Sequence, residues 1–211
     1  MKILIVTGGD LGDPHYIDKH SLEWDYIICV DSGARHLETL GLKADILIGD
    51  FDSISPSLLK KHEDIGTSIL SYPMEKDWTD TQLAVDNAID KGAHLVYIVG
   101  ALGSRWDHSY ANVMLLYRLE KRGIKAKILN SNNTISMSNN ILDITGEIGQ
   151  TISLLPFAGD VIIESTLGLI YSVKDLTVTM DYPIGVSNVL GANNAMVEIK
   201  SGWLIGILAN D

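Results

Sequence analysis

The chain has 211 residues, 46% hydrophobic and 20% charged, which suits one large or two small globular domains rather than a disordered chain. Its 16 basic residues are scattered among 27 acidic ones, giving a formal net charge of −11; nucleic acid and anionic membranes are therefore poor partners, since both call for clustered Lys and Arg. No apolar run reaches the roughly 18 residues of a membrane span, and a cationic small molecule, or an anion carried in by a divalent metal, suits the balance better.

In chain order, the apolar run from Met1 to Val6 is interrupted by Gly8, Gly9 and Asp10, too early for a signal peptide. It reads as a buried first strand, residues 3–7. Further strands are expected at 26–30, 46–48, 68–71, 95–99 and 126–129, alternating with helices at 32–40, 56–62, 78–91 and 108–122. That alternation indicates an α/β domain with a mostly parallel, helix-flanked sheet. The single cysteine, Cys29, lies in an apolar run; it excludes an intrachain disulfide and reads as a buried, inert thiol, and a cytoplasmic location is expected. At Asn130, Ser131, Asn132 and Asn133 the composition changes and helical periodicity stops. Strand-like runs follow at 134–137, 141–144, 151–155, 161–164, 176–180, 195–199 and 203–208, spaced as in an all-β sandwich. The expected domains are 1–130 and 131–211.

Ligands of open parallel sheets bind beyond the carboxyl ends of the strands. There the sequence has Gly8-Gly9-Asp10, Asp31-Ser32-Gly33-Ala34-Arg35, Gly49-Asp50-Phe51-Asp52-Ser53, Glu75-Lys76-Asp77-Trp78-Thr79-Asp80 and Gly100-Ala101-Leu102-Gly103-Ser104-Arg105-Trp106-Asp107-His108. Five strand ends delivering Gly and Asp to one edge argue for a shared site. Asp50 and Asp52 repel unless a proton or a cation intervenes, and Mg²⁺, which takes oxygen ligands and substrate phosphates, suits them. No His/Cys spacing suggests zinc. Arg105 and the backbone N–H groups of the glycine turns are candidate phosphate donors. P-loop, dinucleotide-binding and nucleophile-elbow motifs are absent. Each piece also has a plainer reading. Asp77 could be an N-cap with Asp80 at N3, Asp107 an N-cap, the glycines ordinary turns, His108 a helix-start residue, and Arg35 part of a solvated helix face.

Taken in order and spacing, these motifs, with the later Gly185-Val186-Ser187-Asn188, resemble those of the thiamine pyrophosphokinases over nearly the whole chain. The resemblance implies transfer of diphosphate from ATP to thiamine, giving thiamine diphosphate and AMP. It implies an α/β domain that binds ATP and Mg²⁺, a β-sandwich that binds thiamine, and a homodimer with sites at the subunit interface. By this likeness Asp50, Asp52 and Asp80 hold Mg²⁺, with Asp31 close by, and Arg105 and Asp107 sit at the reacting phosphates. The nucleotide site takes in Gly8, Gly9, Asp31, Gly33, Ala34, Lys76, Asp77, Thr79, Gly103, Ser104, Arg105 and His108. Tyr171, Ser187 and Asn188 receive thiamine. Ser32 and Ser104 stand where the family commonly has Gly, which puts the backbone there in question, because Ser disfavours positive φ. The general base is open between an Asp near the metal and none. A metal-dependent phosphohydrolase and a non-catalytic nucleotide or thiamine sensor are the competing readings.

Overall fold

A computed structural model describes residues 1–19, 22–75 and 77–209, with the side chains of Asp18 and Lys19 left out; Lys76 lies outside the described residues. The chain divides into two compact units, Met1–Ser131 and Asn132–Asp211.

The first unit carries strands β1 (Lys2–Val6), β2 (Tyr26–Val30), β3 (Ile46–Gly49), β4 (Ser68–Ser71), β5 (Leu95–Val99) and β6 (Lys125–Leu129). They pair in parallel in the order β6-β5-β1-β2-β3-β4. The chain winds one way from β1 and then the other way from β5, so the order reverses between these neighbours, at the point where such sheets open a ligand crevice. Helices cover both faces. Leu4 and Val6 share a core with Ala34 and Leu37 of α2 (Ala34–Leu40), alongside Leu58 and Leu59 of α3 (Pro56–Asp64) and residues of the short α1 (Tyr16–Lys19). Ile3 and Ile5 point the opposite way by strand alternation. On that side α4 (Asp80–Asp90) packs against β1, β2 and β3, and α5 (Trp106–Glu120) packs against β6.

The helix starts differ from the sequence expectation. Thr79, in extended conformation, caps α4 by accepting from the Gln82 amide at 3.2 Å. Asp77 is therefore not the cap, and Asp80 is the first helical residue rather than the third. Arg105 occupies the N-cap position of α5 with no side-chain cap bond, and Asp107 is the second helical residue. Ahead of α2, residues Asp31–Gly33 form a 3₁₀ turn.

The second unit is built on two long strands, β9 (Thr151–Leu167) and β12 (Asn194–Ala209), each of which replaces two expected short ones. Both bend without breaking. In β9 the buried positions change from even (Ile152, Leu154) to odd (Val161, Ile163) across Ala158 (φ 58°) and Gly159 (φ 138°). In β12 they change from odd (Ala195, Val197, Ile199) to even (Leu204, Leu208) across pairing irregularities between Glu198 and Trp203. An irregularity that inserts a residue flips side-chain parity, so each strand sends both its halves into one core. Pairing with β9 are β10 (Lys174–Val178) and the two-residue β11 (Asn188–Val189), which the sequence reading missed; β7 (Asn133–Ser138) and β8 (Ile141–Thr145) pair with β12. Among the described residues no helix is long and apolar enough to cross a membrane.

His62, on the last turn of α3, is 4% exposed, and neither ring nitrogen has a hydrogen-bond partner among the described residues. Burial, then the neighbouring Lys61 charge, lowers its pKa, with Glu38 opposing. The folded state thus binds the proton more weakly than the unfolded chain, and stability is lost as pH falls below about 6.5 through the folded-state value. His62→Leu is expected to reduce the fall in Tm between about pH 7.5 and about pH 5.5. An identical fall in wild type and variant would show that His62 does not set this pH dependence.

Candidate active site

The site is assembled where β1, β2, β3 and β5 end. Asp31 follows β2 at φ 42°, an unusual conformation for a residue other than glycine. It is accommodated because Gly49, ending β3, has no side chain; a Cβ there would lie 3.1 Å from the Asp31 Cβ. Phe51 also has positive φ, 62°, and turns the chain so that Asp50 and Asp52 flank it. The Asp50 carboxylate accepts from the Asp52 amide at 3.2 Å, and the Ser53 hydroxyl donates to Asp31 Oδ2 at 2.6 Å.

Asp31, Asp50 and Asp52 each bring a carboxylate oxygen within 4.8 Å of the others. The Asp50 charge, then desolvation and the Asp31 charge, push the Asp52 carboxyl above the usual range; Asp80 adds to the effect from the start of α4. Asp31 Oδ1 is buried without a hydrogen-bond partner among the described residues. An oxygen-only donor set with an unsatisfied buried oxygen and mutual repulsion fits a hard divalent cation.

A cleft of about 930 Å³ adjoins Asp31 and Asp80 and is lined by the loops after β1, β2 and β5 together with Thr79, Thr81, Arg105 and His108. The β1 and β5 loops are tied together. The Gly9 amide donates to the Gly100 carbonyl at 2.6 Å and the Asp10 amide to that of Leu102 at 2.7 Å. A Cβ on Gly9 would come within 2.3 Å of that Gly100 oxygen, so glycine is required by close approach. The Gly9 amide is thus engaged, and the Gly103 amide donates to the Ser109 hydroxyl at 3.0 Å. The conformational concern over Ser32 and Ser104 also falls away, since neither is among the residues with positive φ.

Arg105 grips Asp107 with two donors, Nη2 to Oδ2 at 2.5 Å and Nε to Oδ1 at 3.2 Å. That hydrogen bonding holds the Asp107 carboxyl down at about 2. His108 Nε2 lies 3.9 Å from the same carboxylate. Gly8, Gly9, Asp31, Thr79, Asp80, Gly103, Ser104, Arg105 and His108 line the cleft, whereas Asp50, Asp52, Asp77 and Asp107 do not. Gly33 and Ala34 belong to the packing beneath it. A Cβ on Gly33 would meet the Val6 carbonyl at 2.5 Å, and Ala34 is wholly buried.

The sequence reading missed His36, whose Nε2 donates to the Gly9 carbonyl at 2.8 Å, and Asn112, whose Nδ2 donates to the Ala101 carbonyl at 2.7 Å. With Arg105 and Ser109, Asn112 forms a helical i, i+4, i+7 row, a signal that was available in the sequence. In the second unit, Asn188 clasps the Tyr171 backbone, accepting from its amide at 3.2 Å and donating to its carbonyl at 2.8 Å. The Tyr171 side chain is left exposed, and Ser187 (φ 61°) donates its amide to the Ser153 hydroxyl at 3.2 Å.

Comparison with known proteins places one family model in each part of the chain. The family model described as "Thiamin pyrophosphokinase, catalytic domain" matches residues 18–128, and that described as "Thiamin pyrophosphokinase, vitamin B1 binding domain" matches residues 139–204. The chain belongs to the thiamine pyrophosphokinase family. It is 32% identical over 198 residues to the thiamine pyrophosphokinase of Bacillus subtilis (strain 168), covering 93% of this chain and 91% of that protein. The crystal structure of thiamine pyrophosphokinase from Bacillus subtilis superposes with a TM-score of 0.88 at 30% identity, covering 100% of both chains. That of thiamin pyrophosphokinase from Geobacillus thermodenitrificans superposes with a TM-score of 0.85 at 25% identity, covering 100% of this chain and 98% of the other.

At ten times its dissociation constant, Mg²⁺ is expected to stabilise the protein by about 1.4 kcal/mol, read as a rise in Tm. Asp50→Asn should abolish the rise and leave the metal-free Tm unchanged or higher, because one repelling charge is gone. An unaltered Mg²⁺ response in that variant contradicts the assignment.

Proposed function

We propose that this chain transfers diphosphate from MgATP to the hydroxyl of thiamine, releasing thiamine diphosphate and AMP. The observation that carries the reading is the convergence of Asp31, Asp50 and Asp52 beside an arginine-bearing cleft, in a chain of this family. Asp31, Asp50, Asp52 and Asp80 would hold Mg²⁺, which when bound neutralises phosphate charge and polarises the reacting group. The first unit serves as the ATP domain, with the glycine-walled cleft taking the nucleotide. The second unit is read as a β-sandwich that takes thiamine. The exposed Tyr171 ring would stack on the cationic ligand, with the Ser187 hydroxyl beside it and Asn188 fixing the loop that carries the ring.

In the proposed reaction the thiamine oxygen forms a bond to the β-phosphorus and loses its proton. The bond from the β-phosphorus to the bridging oxygen breaks, and that oxygen leaves with AMP. Positioning and charge stabilisation supply most of the rate in chemistry of this kind. Arg105 contributes by turning guanidinium donors from Asp107 toward the phosphates, where the planar fork matches phosphate oxygens. A homodimer is supported by exposed apolar side chains within each unit, at Trp106, Tyr110 and Met114 in the first and at Tyr182, Ile184 and Val186 in the second, of a kind that a second copy would cover. A cytoplasmic setting accords with the single, buried Cys29.

Mass spectrometry of products after incubation with thiamine, ATP and Mg²⁺ should detect thiamine diphosphate and AMP in equal amounts. Phosphate release that does not depend on thiamine would refute transfer. Asp52→Asn and Arg105→Ala are each expected to lower AMP formation by about 100-fold or more, with the circular dichroism spectrum unchanged. Near wild-type turnover in both variants would refute the site assignment.

A further inference from the structure

Two arginines line the cleft among the described residues, and their situations differ. Arg105 is held by Asp107 through two donors. Arg35, the second residue of α2, has no carboxylate partner among the described residues. Its Nη2 donates instead to the Gly8 carbonyl at 2.5 Å, and its other N–H groups have no partner among the described residues. Gly8 is placed to accept because it lacks a side chain, since a Cβ there would strike the Ser32 hydroxyl at 1.9 Å. The next residue, His36, fastens the Gly9 carbonyl in the same way. A neutral acceptor thus anchors the Arg35 guanidinium without cancelling its charge, in a cleft that Asp10, Asp31 and Asp80 also line. An anchored side chain loses little further freedom on binding an anion, and its planar fork keeps donors free for phosphate oxygens.

We infer that Arg35 is a second phosphate-binding residue of this cleft, gripping the polyphosphate of the nucleotide while Gly8 holds it in place. The inference rests on the reading of the cleft as a nucleotide site. It gives a binding role to a side chain that, from its helical position alone, reads as surface decoration.

The test is calorimetric titration of the full chain with MgATP and with adenosine, alongside steady-state kinetics with thiamine. Arg35→Ala is expected to weaken MgATP binding about 10-fold or more and to leave adenosine binding within about two-fold of wild type. KM for ATP should rise while kcat stays close to wild type, as for an interaction made equally in ground and transition states. The dependence of MgATP affinity on salt should flatten. Arg35→Lys, which keeps a charge but not the fork, should recover part of the affinity and serves as the second variant if Ala impairs folding. Wild-type MgATP affinity in Arg35→Ala, accompanied only by a lower Tm, would overturn the inference and leave Arg35 as a clasp on Gly8. Failure of the wild-type protein to bind MgATP would overturn the nucleotide reading itself, and this inference with it.

Discussion

Three carboxylates from two strand ends share a space in which they repel one another, and the ends of β2 and β3 are arranged around that repulsion. Two like charges about 4 Å apart oppose each other by about 1 kcal/mol in water and about 4 kcal/mol near a protein surface. Folding brings Asp31 to Asp50 and Asp52 nonetheless. The parallel sheet fixes where β2 and β3 end, Gly49 makes room for Asp31, and the positive φ of Phe51 turns Asp50 and Asp52 to either side of it. The upward shift at Asp52 and the unsatisfied oxygen of Asp31 are two consequences of one arrangement. A divalent cation would relieve both, and the polyphosphate it carries would meet Arg35 and Arg105 in the adjoining cleft.

The first unit was largely legible in the sequence because its strands are buried on both faces and stand out as apolar runs. What the pattern misplaced were the helix starts. Trp78 looks like the first residue of a periodic helix, yet Thr79 supplies the capping oxygen and leaves Trp78 outside and exposed. The long strands of the second unit look like pairs of short ones in the sequence for a comparable reason. Ala158-Gly159 and the segment around Gly202 have turn composition, while the chain uses them to bend a continuous strand and invert its parity. A two-residue strand such as β11 leaves no periodicity to detect.

The grouping of Asp31, Asp50 and Asp52 was legible because these residues follow the recognisable strands β2 and β3. The state of the glycine loops was not. Whether the Gly9 amide is free depends on Gly100, whose loop reaches it only through the pairing of β1 with β5. The same holds for Asn188, whose side chain serves the Tyr171 backbone. Local sequence names the residue types at a site; the hydrogen-bond partner that consumes or frees each one is set by tertiary pairing.

Anomalous diffraction can show whether these carboxylates gather a metal that holds a polyphosphate. Crystals grown with Mn²⁺ and a non-hydrolysable ATP analogue should show a manganese peak coordinated by oxygens of Asp31, Asp50 and Asp52, with analogue phosphate oxygens completing the shell. Manganese bound elsewhere, or these three side chains turned apart toward solvent with the analogue bound, would contradict it.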